Sequence, residues 1–474
     1  MALWKYFGFI AFAAATVAAP VMVPAATVAQ RADFAAKADA ILEAAYPADG
    51  AGVAVIITQG GRTIYERGRG LAELETRRPI TPNTVFRLGS ITKQFTAAVI
   101  LQLVAEGRIS LDDPVSRFFA DYPEPGARAT IRQLLNHTSG IQSYTEIPGA
   151  MDDAGSNRPH STAQLIALFR DVPSLSQPGQ SWAYNNSGYV LLGAIIESVT
   201  GRNWHEAVAE RITHPLGLRS IAYGVTGESD PNMARGYSSG QAQAAPAPSV
   251  HMSTPHAAGS LIGSVRDLAR WSHALHHGRV VTPALYQQMI QPTPLPDGTN
   301  QPYGFGIAPG ELRGRPTIHH SGGINGFRTE AAFLPSQDVF IAVFANSGRP
   351  ATPPGSVLRR LGALWLGDPF PEFTAVQVDP ATIEPLFGLY RIGSGPSTRR
   401  FYERAGKYYV RRDEGSEQEV LAAGDDRFFF GPNNLTWFRV ERAADGAHVM
   451  QVHPQGANEP ELAVRTGPVP AEAR

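Results

Sequence analysis

The stretch Phe86 to Phe95, with the sequence FRLGSITKQF, places a serine and a lysine three residues apart at the start of an apolar helical pattern. Three residues are close to one helical turn, so Ser90 and Lys93 project from the same face. Serine alone is a weak nucleophile, and a neutral lysine one turn away is able to take its proton. The free N–H groups at a helix N-terminus suit a developing oxyanion. The stretch therefore predicts a nucleophile at the beginning of a helix.

Ser-x-x-Lys is a short pattern, and on its own it also fits a surface lysine that follows a helix cap. The chain has four lysines, and only Lys93 stands three residues after a serine. Gly89, directly before the serine, allows a sharp bend into the helix and leaves room for a ligand. Catalysis at Ser90 is thus a hypothesis that depends on other parts of the chain.

Composition narrows the class of protein. The 474 residues are 43% hydrophobic and 18% charged, with a net charge of −1. This is typical of a globular protein with one large domain and a smaller one. Because no lysine-rich run or basic-aromatic stripe occurs, nucleic acid and anionic membrane surfaces are poor candidate partners. The absence of cysteine excludes disulfides and a thiolate nucleophile.

Residues 1–29 predict a secretory signal peptide. Lys5 is the only charge before Arg31, an alanine-rich apolar run covers residues 7–19, and small residues follow that offer cleavage sites. The expected location is therefore secreted or periplasmic. The uncharged stretch 6–30 is also long enough to span a membrane as an uncleaved anchor, although its two prolines and its many alanines count against that alternative.

Strand and helix patterns alternate up to about residue 367, which predicts a mixed α/β domain over residues 34–367 with a sheet core. The proline-rich segment 368–382 is expected to be a linker. Short aromatic runs between residues 383 and 466 predict a small all-β module.

Two further polar clusters stand far from Ser90 in the sequence, Tyr184-Asn185-Asn186 and His320-Ser321-Gly322. Together with Ser90-x-x-Lys93, in this order, they resemble the serine β-lactamase and penicillin-binding DD-peptidase superfamily, especially its class C β-lactamase-like branch. That family has Ser-x-x-Lys, Tyr-x-Asn and Lys/His-x-Gly, the last on an edge strand beside the site. The phrases at 134–141 (LLNHTSGI), 215–218 (PLGL) and 322–327 (GGINGF) match as well, and the resemblance covers roughly residues 34–366.

The resemblance implies an α/β (α+β) fold of the β-lactamase/transpeptidase type: an antiparallel sheet flanked by helices, with an all-helical subdomain. The β-rich tail, residues 383–466, resembles the lipocalin-like module that some members carry. The implied activity is that of an exported serine hydrolase that forms an acyl-Ser90 intermediate with an ester, a peptide or an amide, as DD-peptidases, esterases and D-aminopeptidases do. The alternative is a catalytically idle member that binds cell-wall peptide or a partner protein.

The resemblance assigns catalytic roles to Ser90, Lys93 and Tyr184. Ser90 attacks a carbonyl, while Lys93 and Tyr184 share the proton transfer. We expect these two groups to titrate as a pair, because an ammonium favours a tyrosinate and a tyrosinate favours an ammonium. Asn186 is expected to hold Lys93 and to donate to a substrate amide oxygen.

His320, Ser321, Gly322 and Gly323 are the remaining substrate-binding candidates. By analogy, the N–H groups of Ser90 and Gly323 form the oxyanion hole, and Gly322 has no side chain to keep substrate away from the strand. His320 stands where most β-lactamases of this group have lysine. Since histidine is largely neutral at pH 7, it binds a carboxylate less strongly, which lowers the expected efficiency of β-lactam hydrolysis.

No cofactor and no metal are expected. A His-Glu pair at 205–206 begins a zincin-like pattern, but Glu210 occupies the place of the second histidine. Adjacent histidines at 276–277 and 319–320 have poor spacing for joint ligation on one element. The only partner predicted is a small-molecule or peptide substrate, and the oligomeric state stays open.

Overall fold

A computed structural model describes residues 28–150, 153–227, 229–444 and 446–469. Residues 1–27, most of the predicted signal peptide, lie outside these described residues. No helix in the described ranges is both long enough and apolar enough to cross a membrane.

The helices of the described chain fall almost entirely before residue 368. They are α1 (Val28–Ala45), α2 (Thr92–Ala105), α3 (Ile131–Leu135), α4 (Asp153–Ser156), α5 (Thr162–Ala167), α6 (Asn186–Thr200), α7 (Trp204–Val208), α8 (Gly224–Gly227), α9 (His256–Gly259), α10 (Val265–His276), α11 (Pro283–Ile290), α12 (Pro354–Trp365) and α13 (Pro380–Ile383).

The strands form two groups. Those of the first domain are β1 (Val53–Gln59), β2 (Arg62–Arg69), β3 (Leu71–Glu73), β4 (Arg78–Pro79), β5 (Phe86–Arg87), β6 (Ala222–Tyr223), β7 (Leu261–Gly263), β8 (Thr293–Pro294), β9 (Asn300–Gln301), β10 (Ala308–Leu312), β11 (Arg315–Ile324), β12 (Phe327–Leu334) and β13 (Val339–Ala345). Those of the second are β14 (Gly388–Ile392), β15 (Thr398–Arg404), β16 (Lys407–Arg412), β17 (Gln418–Gly424), β18 (Arg427–Phe429), β19 (Trp437–Arg442), β20 (His448–His453) and β21 (Glu461–Gly467).

A six-stranded antiparallel sheet in the order β10-β11-β12-β13-β1-β2 forms the centre of the first domain. Its middle strands β1 and β13 are buried on both faces. Helices α1 and α12 cover one face, and α10 with the cluster around α2 and α6 covers the other. Side chains that point to either face of these two strands are therefore shielded from water, which explains why both strands have nearly continuous hydrophobic sequences. This arrangement confirms the fold class that the family resemblance implies.

Helix α2 carries the nucleophile into the middle of the first domain. Nearly all of its residues are buried, including polar ones such as Thr92 and Thr96. A helix that is apolar all round is covered on every side, and α2 contacts α6, α7 and α9. Its N-terminus is consequently a rigid platform.

The second domain is a closed eight-stranded barrel in which β14 pairs with β21. Aliphatic and aromatic side chains fill its interior. The rings of Phe401, Phe428 and Phe438 lie with centroids 4.8–5.3 Å apart. Tyr390 and Met450 are fully buried beside them. The centre of the barrel is thus packed with side chains, as in small barrels generally.

The segment predicted as a linker, residues 368–382, begins against the first domain and continues along the barrel, where Phe373 stacks on Phe429. Asp368 forms an ion pair of 2.7 Å with Arg313. Phe370 is buried beneath the guanidinium groups of Arg313 and Arg359. These contacts fix the connection between the two domains, and the predicted boundaries themselves stay a prediction.

Candidate active site

Ser90 lies in a 3₁₀ turn, Gly89–Ile91, that leads directly into α2. The Lys93 Nζ atom is 3.2 Å from the Ser90 Oγ atom, so the two side chains do share one face. Gly89 has a φ of +55°, and a β-carbon there would lie 2.9 Å from the backbone nitrogen of Gly323. The turn therefore requires glycine, both for its left-handed backbone and for its close approach to β11.

Lys93 is completely buried. Its Nζ atom lies 2.8 Å from Asn186 Oδ1 and 3.0 Å from the Ala258 carbonyl oxygen. Burial without a carboxylate partner holds the pKa of Lys93 well below its usual range. A neutral amine has two N–H donors and one lone pair. The two oxygens match the donors, and the lone pair is left for the Ser90 hydroxyl, as a general base requires.

Tyr184 is about one-third exposed and lines the open side of this pair. Burial of its surroundings raises the pKa of Tyr184, while a hydrogen bond with Ser90 acts in the opposite direction. Lys93 Nζ lies 4.7 Å from the centroid of the Tyr184 ring. Desolvation displaces the pKa of Lys93 and that of Tyr184 towards the neutral form of each group. The expected coupled titration of the two groups stays a prediction, and Lys93 is the candidate general base.

Asn186 is the first residue of α6 and holds Lys93, as the sequence predicted. One N–H of its side-chain amide donates to Thr145 Oγ1 at 3.1 Å. The backbone N–H of Asn186 donates to Ser143 Oγ, also at 3.1 Å. Because an amide nitrogen has two hydrogens, the second stays available for a substrate oxygen.

Strand β11 is the second strand of the sheet, and the expected edge position needs a correction. Its neighbour β10 begins at Ala308, which pairs with His319. Beyond that point β10 no longer covers β11, so the segment from His320 to Ile324 forms a local edge. The Gly323 nitrogen faces the turn at Gly89. A substrate backbone lying along this edge meets the N–H groups of Gly323 and Ser90 together.

His320 is 5% exposed, and both ring nitrogens have partners. Its Nδ1 lies 2.6 Å from the carbonyl oxygen of Ser321. Because a carbonyl oxygen can only accept, Nδ1 donates this hydrogen bond. Nε2 then accepts from the Tyr303 hydroxyl at 2.8 Å. Burial, reinforced by Lys93, lowers the pKa of His320 to about 3. His320 is therefore a neutral structural group here and contributes no charge for a substrate carboxylate.

Gly322 serves a different purpose from the one expected. A β-carbon at this position would lie 2.0 Å from the Leu88 carbonyl oxygen and 2.2 Å from Thr329 Oγ1. Its missing side chain makes room for the turn before the nucleophile, not for substrate. Ser321 and Gly323 are exposed, and a β-carbon at Gly323 would meet the guanidinium of Arg328 at 2.7 Å.

His137 is a functional candidate that the sequence patterns did not single out, although it lies within the matched phrase at 134–141. Its carbonyl accepts from the Ala183 N–H at 3.0 Å, and its Nδ1 accepts from the Asn185 N–H at 3.1 Å. The ring centroid lies 4.4 Å from that of Tyr184. His137 thus fixes the loop that presents Tyr184. The roles of Tyr303 and the Ala258 carbonyl carry no local sequence signal, since they arise from chain segments that meet only in the fold.

Comparison with known protein families gives a match to the β-lactamase family over residues 40–363, about two-thirds of the chain. The chain belongs to the β-lactamase family. Membership and the geometry of Ser90, Lys93 and Tyr184 together make it a serine hydrolase of this superfamily.

Among curated relatives, penicillin-binding protein 4* of Bacillus subtilis is 26% identical over 395 residues, covering 79% of this chain and 87% of the relative. A D-aminopeptidase of Gluconobacter oxydans is 27% identical over 64% of this chain, which spans only 57% of that protein's length.

Among solved structures, a D-stereospecific amidohydrolase from Streptomyces sp. is 31% identical, with a TM-score of 0.59 over 70% of this chain and 98% of that one. The octameric penicillin-binding protein homologue from Pyrococcus abyssi has 25% identity and a TM-score of 0.63 over 92% of this chain and all of that one. The second match extends beyond the first domain.

Proposed function

We propose that this serine hydrolase cleaves amide or peptide bonds next to D-amino acid residues through an acyl-Ser90 intermediate. The observation that carries the proposal is the state of His320, which is buried, neutral and fully hydrogen-bonded. The position that would offer a cation to a substrate carboxylate therefore offers none. The similarity to a D-stereospecific amidohydrolase and a D-aminopeptidase supports an acyl donor of this class.

The reaction follows from the site geometry. The Ser90 Oγ atom attacks the substrate carbonyl and passes its proton to Lys93 Nζ, 3.2 Å away. The N–H groups of Ser90 and Gly323 stabilise the oxyanion. The proton then reaches the leaving nitrogen through Tyr184, whose hydroxyl contacts Ser90. Water takes the place of the leaving amine, and the same groups work in reverse to release the acid.

A second candidate is a DD-carboxypeptidase, which acts on peptides with a free C-terminal carboxylate. Arg328 favours it. Its guanidinium lies beside Gly323, and among the described residues it donates only to the Phe327 carbonyl. It also lines a cleft of about 770 Å³ along the exposed face of β11, next to Ser321 and Gly323, although Ser90, Lys93 and Tyr184 do not line that cleft. An arginine without an acidic partner is a suitable anchor for a carboxylate.

The two candidates are separated by comparing a D-amino acid amide with a peptide ending in D-Ala-D-Ala, using wild type and Arg328→Gln. The first proposal predicts turnover of the amide with an unchanged KM in Arg328→Gln. If Arg328 anchors a carboxylate, the peptide is the better substrate and its KM rises by about tenfold or more in the variant. Arg391→Gln, an exposed arginine of the barrel, is the matched control.

A catalytically idle, ligand-binding member is the remaining alternative. Intact-mass spectrometry with benzylpenicillin and a reactive D-amino acid ester distinguishes it, with Ser90→Ala in parallel. Acylation of wild type alone supports the hydrolase. A Ser90 that stays inert towards every acylating probe would favour the binding role.

We further propose that the protein is exported, because residues 1–29 have the composition of a signal peptide. N-terminal sequencing of the protein from the extracellular or periplasmic fraction tests this. A mature chain that begins close to residue 30 supports cleavage. An intact N-terminus in the membrane fraction would indicate an anchor.

A further inference from the structure

A cluster of metal-ligating side chains lies outside the active site, at the C-terminal end of α10. We propose that His273, His277 and Asp338 bind a divalent transition metal, with Zn²⁺ as the best match. One potential ligand atom from each of the three residues lies within 4.8 Å of the other two. His273 and His277 are four residues apart, which places both rings on one helical face. The adjacent His276 points elsewhere, since its Nδ1 contacts the Tyr286 hydroxyl at 2.7 Å.

His277 is already oriented as a ligand. Its Nδ1 lies 2.8 Å from the His273 carbonyl oxygen, to which only an N–H can donate. The proton on this side of the ring is therefore on Nδ1, and Nε2 faces Asp338 Oδ2 at 3.2 Å, so a metal ion bound by both atoms would replace the hydrogen bond between them. Metal-binding histidines generally donate their other ring N–H to a carbonyl or a carboxylate, which fixes the tautomer. This backbone hydrogen bond is that arrangement.

Two turns hold the other ligands in place. Asp338 follows the 3₁₀ turn after β12 with a φ of +49°, and its carbonyl accepts the Gly60 N–H at 2.9 Å. In the same β1–β2 turn, a β-carbon at Gly61 would lie 3.0 Å from the His273 ring. The glycine leaves space for that imidazole. The cluster therefore joins three separate parts of the first domain.

The donor set indicates the metal. Two imidazole nitrogens and one carboxylate oxygen suit Zn²⁺, whereas Ca²⁺ and Mg²⁺ prefer oxygen ligands. Tetrahedral Zn²⁺ with bonds of about 2.0–2.1 Å separates its ligand atoms by roughly 3.3 Å, close to the distance between His277 and Asp338. The side chains of these two residues are 37% and 39% exposed, so water has access to the fourth position. An opposing positive charge is Arg279, which is exposed and lines the same cleft as Gly61 and His273.

Zn²⁺ titration of the full, chelator-treated chain tests the site by calorimetry and thermal unfolding. We expect one ion per chain and a rise in Tm, because the metal binds only the folded arrangement. His277→Ala and Asp338→Asn should each weaken binding by about tenfold or more. His214→Ala, an exposed histidine outside the cluster, should leave it unchanged. Arg279→Gln should tighten binding several-fold by removing the opposing charge.

Because the ligands are partly exposed, the variants should fold, and the Tm without metal checks this. The visible absorption of bound Co²⁺ gives a second readout, which should show a tetrahedral site in wild type and not in Asp338→Asn. The proposal is wrong if wild type binds no Zn²⁺. It is equally wrong if the His277→Ala, Asp338→Asn double variant binds with the affinity of wild type.

Discussion

The two domains differ in the kinds of side chain that they bury. Around the nucleophile, the first domain buries the polar side chains of Lys93, His137 and His320. In the described residues of the barrel, by contrast, the fully buried side chains are hydrophobic, and aromatic rings fill the centre. Burying a polar or basic group costs free energy, and proteins retain such groups where their altered chemistry is needed. The contrast places the buried basic groups around Ser90 in the first domain, whereas the buried side chains of the barrel serve its packing.

The largest expected effect comes from removing the nucleophile. Ser90→Ala should lower kcat/KM by about 10⁴-fold or more, because the remaining groups have no atom with which to form the acyl-enzyme. Tm should stay the same, since the side chain is small and only partly buried. Steady-state kinetics and thermal unfolding measure the two quantities. Residual turnover near the wild-type level would remove Ser90 from the mechanism.

A substitution in the core of the barrel should have the opposite effect and lower stability without lowering activity. Phe438 is fully buried and packs against Phe401 and Phe428. Phe438→Ala should lower the free energy of barrel unfolding by about 3–5 kcal/mol through the cavity it leaves, while kcat/KM at a temperature where the variant stays folded should not change. Denaturant unfolding followed by tryptophan fluorescence provides the measurement. A proportionate loss of kcat would show that the barrel takes part in the chemistry.

Two neighbouring glycines of β11 should differ in how well they tolerate an added β-carbon. Gly322→Ala should destabilise the first domain by about 1–3 kcal/mol, because its β-carbon meets the fixed carbonyl of Leu88. Gly323→Ala should cost little, since the new carbon meets only the flexible end of Arg328. Chemical denaturation of the two variants compares them directly. Equal stabilities would mean that β11 does not pack against the turn as described.

The smallest effect is a pH dependence of stability that Lys93 causes. The folded pKa of Lys93 lies well below its usual value of 10.5. At a pH between the folded and the unfolded pKa, Lys93 is protonated in the unfolded chain and neutral in the folded one. The free energy of unfolding therefore rises with pH in this window. Relative to Lys93→Met, wild type should therefore gain stability as pH increases through that window. Unfolding free energies of both proteins across the range give the slope, and a slope of opposite sign would mean that folding raises this pKa.

Much of the active site could be predicted from the sequence because its parts are short local patterns. Ser90 and Lys93 share a helical turn, and Asn186 begins α6 after a turn signal. The β1–β2 hairpin and the strand around residues 340–344 were also predictable from hydrophobic runs and glycines, and both are present.

The features of the site that could not be predicted from the sequence depend on tertiary contacts. The complete burial of Lys93, which lowers its pKa, could not be known from the motif alone. The role of Gly322 could not be known without its distance to Leu88. The hydrogen bond between Tyr303 and His320 joins a loop to strand β11, and no local pattern connects these two segments. His273 and His277 have helical spacing, but Asp338 becomes their neighbour only through the β12–β13 turn.

The proposed mechanism requires Lys93 to be a neutral amine in the folded enzyme. An NMR titration of the Lys93 side chain measures its ionisation. With ¹³C-labelled lysine the protein gives signals from at most four residues, and Lys93→Arg identifies the one of interest. We expect this Cε resonance to have the chemical shift of a neutral amine at pH 7 and to titrate far below pH 10.5. A Lys93 signal that stays protonated up to pH 10.5, the ordinary lysine pKa, would contradict its role as the general base.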